Sequence, residues 1–258
     1  LLGFLLRGPG LRRHARSIRT LLPLILMATV TSVAEARAPD GFEEMETSNY
    51  AVGSPERFGI DFRTGPYRPE VDSGSLENTL GGPFDNVFGS DSSWVIGMSL
   101  HGLPLEIPHL GRLGVGAGID WVRYKAKAFE QGTSTRVGET TALTLLPLHV
   151  DGVIHLDVLP RQLGIPIVLG GQAGYTGVYW RAKRGDEVEA RGFSTGLRLS
   201  AQVAMELDYL DPSAARRLDE EWGINHSRVF FEYLWSDAEG ESMRVGDDTW
   251  QLGLGFTF

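Results

Sequence analysis

The sequence predicts an all-β fold, a closed up-and-down antiparallel transmembrane β-barrel of about eight strands, with a short periplasmic helix near 212–222. Three observations predict it. Beyond residue 57 the chain alternates apolar with polar or small residues at period two; its last strand alternates and ends on an aromatic residue; and its N-terminus reads as an export signal. Composition narrows the field further. The 258 residues include no cysteine, which excludes a disulfide scaffold and a thiolate zinc site. Lys and Arg number 24 against 33 Asp and Glu, a net charge of −9, and nucleic acid is therefore excluded as a partner.

At the N-terminus, Arg12, Arg13, Arg16 and Arg19 precede an apolar run over 21–33 that ends in Val33-Ala34-Glu35-Ala36. Residues 1–36 read as a signal peptide, because an apolar run this short is shorter than the roughly 30 Å hydrocarbon core at 1.5 Å per helical residue. Its removal leaves 19 basic and 32 acidic residues, a net −13 over 222 residues. Residues 37–56 are polar and without periodicity, a disordered leader; residues 57–258 form the barrel domain.

The strands follow in order. Dyad runs occur at Phe58, Ile60, Phe62; at Trp94, Ile96, Met98, Leu100; and at Leu113, Val115, Ala117, Ile119, Trp121. Over 140–158 the apolar parity changes near Pro147, so Leu143 and Leu145 before it and Leu148, Val150, Ile154, Leu156 and Val158 after it are read as one outward set joined by a bulge. One long strand is preferred to a hairpin at Asp151-Gly152, since an even count returns the C-terminus to its starting side. Then come Ile167, Leu169, Ala173, Tyr175, Tyr179; the cleanest case, over 193–207; Val229, Phe231, Tyr233, Trp235; and Trp250 to Phe258. Segments 65–91, 130–138, 184–191 and 236–247 are expected as outward loops, and 102–111, 159–165 and 209–225 as periplasmic connections. Within the last, Asp211 as N-cap, Pro212 and the stop Gly223 predict the helix.

Period alone does not distinguish a lipid-facing barrel from a lipocalin-like one, whose apolar face points inward. The export signal, the aromatic end and the Gly, Ser and charged residues on the non-apolar face decide for lipid. Trp94, Trp121, Tyr179, Trp180, Tyr233, Trp235 and Trp250 are candidate interfacial girdles. A mean hydropathy of −0.11 agrees with strands that are half polar. Gly114, Gly116 and Gly118 suit an eight-stranded interior, which side chains just fill.

With Phe58-Gly59-Ile60-Asp61-Phe62, Gly65-Pro66-Tyr67-Arg68-Pro69-Glu70-Val71-Asp72, Pro83-Phe84-Asp85-Asn86-Val87-Phe88-Gly89, Leu145-Leu146-Pro147-Leu148, Gly223-Ile224-Asn225-His226 and Asp248-Thr249-Trp250-Gln251-Leu252-Gly253-Leu254-Gly255-Phe256, the chain resembles the uncharacterised outer-membrane β-barrel proteins of myxobacteria and their relatives. The resemblance implies an outer-membrane barrel and supplies no catalytic residues. The terminal residues Trp250, Leu252, Leu254, Phe256 and Phe258 also resemble the insertion signal that the barrel-assembly machinery reads in other bacterial outer-membrane proteins.

Chemical motifs are few. Gly192-Phe193-Ser194-Thr195-Gly196 matches a hydrolase nucleophile elbow but enters a strand, where the elbow needs a strand-to-helix turn. His149, Asp151, His155 and Asp157 share one face of a strand if it is continuous, and neighbouring His–Asp pairs are within reach; positions six apart, such as the two histidines, lie about 20 Å from each other, too far for one metal ion. Together with Asp61, Arg63, Arg198, Glu206, Arg228 and Glu232 they read as a polar network in the lumen, paired because buried charges require it. No cofactor or metal is expected. Tyr67, Phe84 and Phe88 are candidate external-loop contacts. The expected role is non-enzymatic, structural or surface-interacting, with outer-membrane lipid and lipopolysaccharide and the assembly machinery as partners; a narrow channel and a lipid-modifying enzyme are the alternatives.

Overall fold

In the computed structural model the described residues are 57–71, 83–89, 92–129, 136–240 and 243–258. The expected signal peptide and leader lie outside them. Eight strands among the described residues close into one antiparallel barrel in sequence order: β1 (Phe58–Tyr67), β2 (Ser93–Ile107), β3 (Gly111–Phe129), β4 (Arg136–Leu156), β5 (Ile167–Arg184), β6 (Glu187–Glu206), β7 (His226–Glu239) and β8 (Asp247–Thr257). The seam pairs β1 with β8, and beyond it the Arg57 N–H donates to the Phe258 carbonyl at 2.7 Å while the Phe58 and Phe258 rings stack at 5.2 Å. Closure leaves no unpaired sheet edge, which hydrocarbon would penalise. We call the end carrying Phe58 and Phe258 the terminal rim, and the other the distal rim.

The expected alternation sorts the side chains. Ile96, Val150, Leu197, Leu199, Leu252 and Leu254 are exposed on the outer wall, while Asp61, Arg63, His149, Asp151, Arg198 and Glu232 are buried inside. A water-soluble barrel has the opposite arrangement. Among the described residues no helix is long and apolar enough to cross a membrane.

Several boundaries differ from expectation. The strands run into the expected distal loops: β1 includes Tyr67, β5 and β6 meet across Gly185 and Asp186, and β7 continues to Glu239. Hydrogen bonding to a neighbour carries polar segments such as 184–191 on as strand, with a register shift at Ala182/Lys183. At the terminal rim, β2 likewise reaches Ile107 through a shift between Gly102 and Leu105. A helix absent from the expectations, α2 (Val158–Leu163), fills the 159–165 connection; its stop, Gly164 at φ 65°, was visible in the sequence. With α1 (Pro83–Phe88) before it in the chain, the predicted helix is α3 (Pro212–Trp222). The Asp211 carboxylate accepts from the Ser213 hydroxyl at 2.6 Å and from the Ala214 and Ser213 N–H groups at 3.0 and 3.1 Å, which holds its pKa below the usual carboxylate value.

The bulge predicted at Pro147 does not exist. β4 pairs with β5 in one unbroken register from Thr141↔Arg184 to Leu156↔Leu169, passing through Pro147↔Val178. Against β3, pairing lapses between Ile119↔Leu148 and Val122↔Leu145 and resumes in the same register. Proline lacks an N–H, so it forfeits local ladder bonds without adding a residue. Leu143 and Leu145 therefore face inward, with His149 and Asp151.

Candidate functional site

The interior is the part of the molecule with unusual chemistry. Near mid-barrel, Arg63 from β1 donates to Asp120 of β3 at 3.0 Å, contacts the His149 ring of β4, and lies 3.7 Å from Glu232 of β7. His149 Nδ1 is 2.5 Å from Asp151, which also accepts from Arg198 of β6 at 2.8 Å. Arg198 further donates to Gln172 at 2.9 Å and Glu232 at 3.3 Å, so the ring of contacts closes across the lumen. A second group sits nearer the terminal rim: Arg228 donates to Asp61 at 2.9 Å, and the rings of His101 and His155 meet edge to face at 5.1 Å. All these side chains are buried, the condition under which a charge must be paired.

Glycine makes the room. A Cβ on Gly97 would lie 1.8 Å from Asp120 Oδ1, and one on Gly118 would lie 2.3 Å from His149 Nε2. These two inward glycines are thus the floor on which a polar side chain from the neighbouring strand lies.

Of the ten residues predicted for this network, Asp61, Arg63, His149, Asp151, Arg198, Arg228 and Glu232 join it directly, and His155 joins through its ring. Glu206 is buried opposite Arg228 in register. Asp157 is placed differently: it stands at the N-cap position of α2 at the rim, makes no side-chain cap hydrogen bond there, and pairs instead with Arg161 at 2.8 Å, so the His155–Asp157 pair does not form. Asp120, His101 and Gln172 were missed. Their signal was parity alone, since Asp120 continues the inward series Gly114, Gly116, Gly118 and His101 continues Gly97 and Ser99.

Towards the distal rim the interior turns apolar. Val95, Val122, Tyr124, Leu143, Leu145, Val178 and Trp180 pack with Tyr67 and Phe84 into one buried cluster, against which Phe88 rests. The expectation that Tyr67, Phe84 and Phe88 are external contacts is therefore corrected. Tyr67 closes β1 with its hydroxyl donating to the Val245 carbonyl at 2.5 Å, and α1 tucks Phe84 edge-on against Tyr124 at 5.1 Å. A lone aromatic gains more by filling the barrel mouth than by standing in water. Trp180, read as a girdle residue, is inward for the same reason. The outward aromatics do cluster, with Trp250 6.4 Å from Trp94 and 6.3 Å from Phe231.

Little space remains. A cavity of about 30 Å³ at the terminal rim, bordered by Arg112, His155, Asp157 and Arg228, is wide enough for a water molecule or two. His155 Nε2, Asp157 Oδ1 and Arg228 Nε, which have no protein hydrogen bond, belong to its lining. Among the described residues no group of three acidic or imidazole side chains is arranged to hold a metal. An acid–histidine pair does occur at this rim, His226 Nδ1 to Asp208 at 2.5 Å, but the Ser227 hydroxyl donates to Asp208 at 3.1 Å and not to the imidazole. A serine nucleophile requires the hydroxyl on the base. Ser194, of the elbow-like motif, lies within β6 and donates to the Met243 carbonyl at 2.8 Å.

Of the terminal set, Trp250, Leu252 and Leu254 are exposed on the outer wall, Phe256 is half-buried, and Phe258 stacks at the seam. No family model and no curated protein matches the sequence. Solved structures with a similar barrel include the outer membrane protein OprG from Pseudomonas aeruginosa (13% identity, 80% of this chain and 98% of that one, TM-score 0.43). They include Ail, the attachment invasion locus protein of Yersinia pestis, in complex with a heparin analogue (13%, 79% and 97%, 0.41). The outer membrane enzyme PagL also matches (11%, 78% and 99%, 0.40). At that distance the likenesses lend nothing to the choice of function.

Proposed function

We propose that this chain is an outer-membrane barrel with a structural or surface-interaction role, exerted through its distal end, and that it neither conducts nor catalyses. The observation that carries this reading is the doubly closed axis. Arg198 and Glu232 are almost inaccessible at mid-barrel, and the Leu145, Val122 and Val178 side chains are equally so beyond them. A channel needs a continuous wet path, which eight filled strands do not leave. The signal peptide over residues 1–36, cleaved on export, and the C-terminal set from Trp250 to Phe258, read by the assembly machinery, belong to the same proposal. Outer-membrane lipid and lipopolysaccharide are its surroundings.

Single-channel recording from the refolded chain in planar bilayers tests the reading: the expected trace is flat, and discrete conductance steps would overturn it. In the same preparation, unboiled protein is expected to migrate at a different apparent mass from boiled protein. A mobility that ignores heating would refute the closed barrel itself.

A further inference from the structure

The outer wall near the distal rim carries a concentration of positive charge that the acidic composition does not foreshadow. All three lysines of the chain, Lys125, Lys127 and Lys183, lie there, with Arg123, Arg181 and Arg191. The register arranges them. Arg123 and Arg181 flank Thr144, and Lys125 and Lys183 flank Ala142, so two rows of cations on β3 and β5 border a floor of small residues on β4. Rows two strands apart stand about 10 Å from each other, and neighbours within a row about 7 Å.

Two features separate this surface from an ordinary solvated face. First, six cations gather on one stretch of wall and, among the described residues, none has an ion-pair or hydrogen-bond partner for its side chain; elsewhere Arg63, Arg68, Arg161, Arg184, Arg198, Arg228 and Arg244 are paired with acids, and the unpaired Arg216 and Arg217 of α3 are only two. Second, Arg181 and Arg191 are direct cross-strand partners, a like-charge juxtaposition that destabilises a sheet unless an anion intervenes. Position supplies the source of the anion. Two residues nearer the middle of the same strands stand exposed Trp121, Tyr179 and Phe193, the aromatic row that marks a membrane interface. The cations stand where lipid headgroups begin.

We propose that this wall binds the phosphates of anionic membrane lipids, seating them between the β3 and β5 rows. The inference rests on the barrel spanning a membrane, and goes beyond it by assigning a ligand class to a named face. The test is lipid selectivity of the chain reconstituted in phosphatidylcholine bilayers, measured by electron spin resonance with spin-labelled phosphatidic acid against spin-labelled phosphatidylcholine. The wild-type chain is expected to prefer phosphatidic acid. Lys125→Gln, Lys127→Gln and Lys183→Gln, combined, are expected to abolish the preference, each losing up to about fivefold, and molar salt to suppress it. Arg216→Gln with Arg217→Gln, unpaired cations on α3 at the other rim, is expected to leave it intact. A preference that survives the triple lysine variant, or follows the α3 pair, overturns the proposal. Binding of inositol hexakisphosphate that depends on the lysines, without lipid selectivity, overturns the lipid source. Absence of any motionally restricted lipid would overturn the membrane reading beneath it as well.

Discussion

The two halves of the barrel interior use the same inward positions for opposite chemistry. On β4, Leu143 and Leu145 face the axis in the distal half and His149, Asp151 and His155 face it in the other. On β3 the same series runs from Gly118 and Asp120 to Val122 and Tyr124. The distal half is a small hydrophobic core, closed over by α1. The charged half is a set of interdependent pairs in which Arg198 alone meets Asp151, Gln172 and Glu232. The contrast teaches that alternation in a strand reports direction, while polarity reports only what lies in that direction.

The contrast makes the charged half the more fragile to a single deletion. Arg198→Ala strands Asp151 and Glu232 without their shared cation, and breaking such a buried set costs about 3–5 kcal/mol. Urea unfolding of the bilayer-reconstituted barrel, followed by tryptophan fluorescence, is expected to show the largest midpoint shift of any substitution named here; a shift no larger than that of Leu145→Ala would remove the distinction between the halves. Leu145→Ala, in the apolar half, should cost about 2–4 kcal/mol, because neighbouring side chains collapse only partly into the cavity. Asp120→Asn tests the charged half more finely. It keeps the shape and removes the charge facing Arg63, so its cost should lie below that of Arg198→Ala, near the 1.5–3 kcal/mol or so of a charged hydrogen bond.

The barrel itself was legible, since period two, strand number and the α3 cap signals are local properties of the chain. So were the charged residues, because a buried Arg or Glu on a dyad face has few alternatives to pairing. The apolar half was not legible. Leu143, Leu145 and Trp180 carry the chemistry expected of lipid-facing residues, and only the unbroken β4–β5 register reveals that they point inward. Pro147 added to the error, because a proline in a strand is equally consistent with a bulge and with a simple gap in the ladder. Asp120 and His101 stood at readable parity, but their partners are 57 and 127 residues away in sequence and no spacing rule joins them.

The smallest effect belongs to the lip of the apolar half, where two of the contacts that fasten the distal end differ in burial. The Tyr67 hydroxyl donates to the Val245 carbonyl from a buried ring, and the Arg68 guanidinium reaches Asp85 at 2.6 Å on the exposed side. Tyr67→Phe keeps the ring in the core and leaves one buried carbonyl without that donor, a loss of about 1 kcal/mol. Asp85→Asn gives up an exposed ion pair, worth about 0–1 kcal/mol and less in salt. If burial makes the hydroxyl bond worth more than the exposed ion pair, the tyrosine substitution shifts the unfolding midpoint more than the aspartate one at every ionic strength. The reverse order at low salt, vanishing at high salt, would show that the mouth is held by charge, and the comparison between the halves would have to be redrawn.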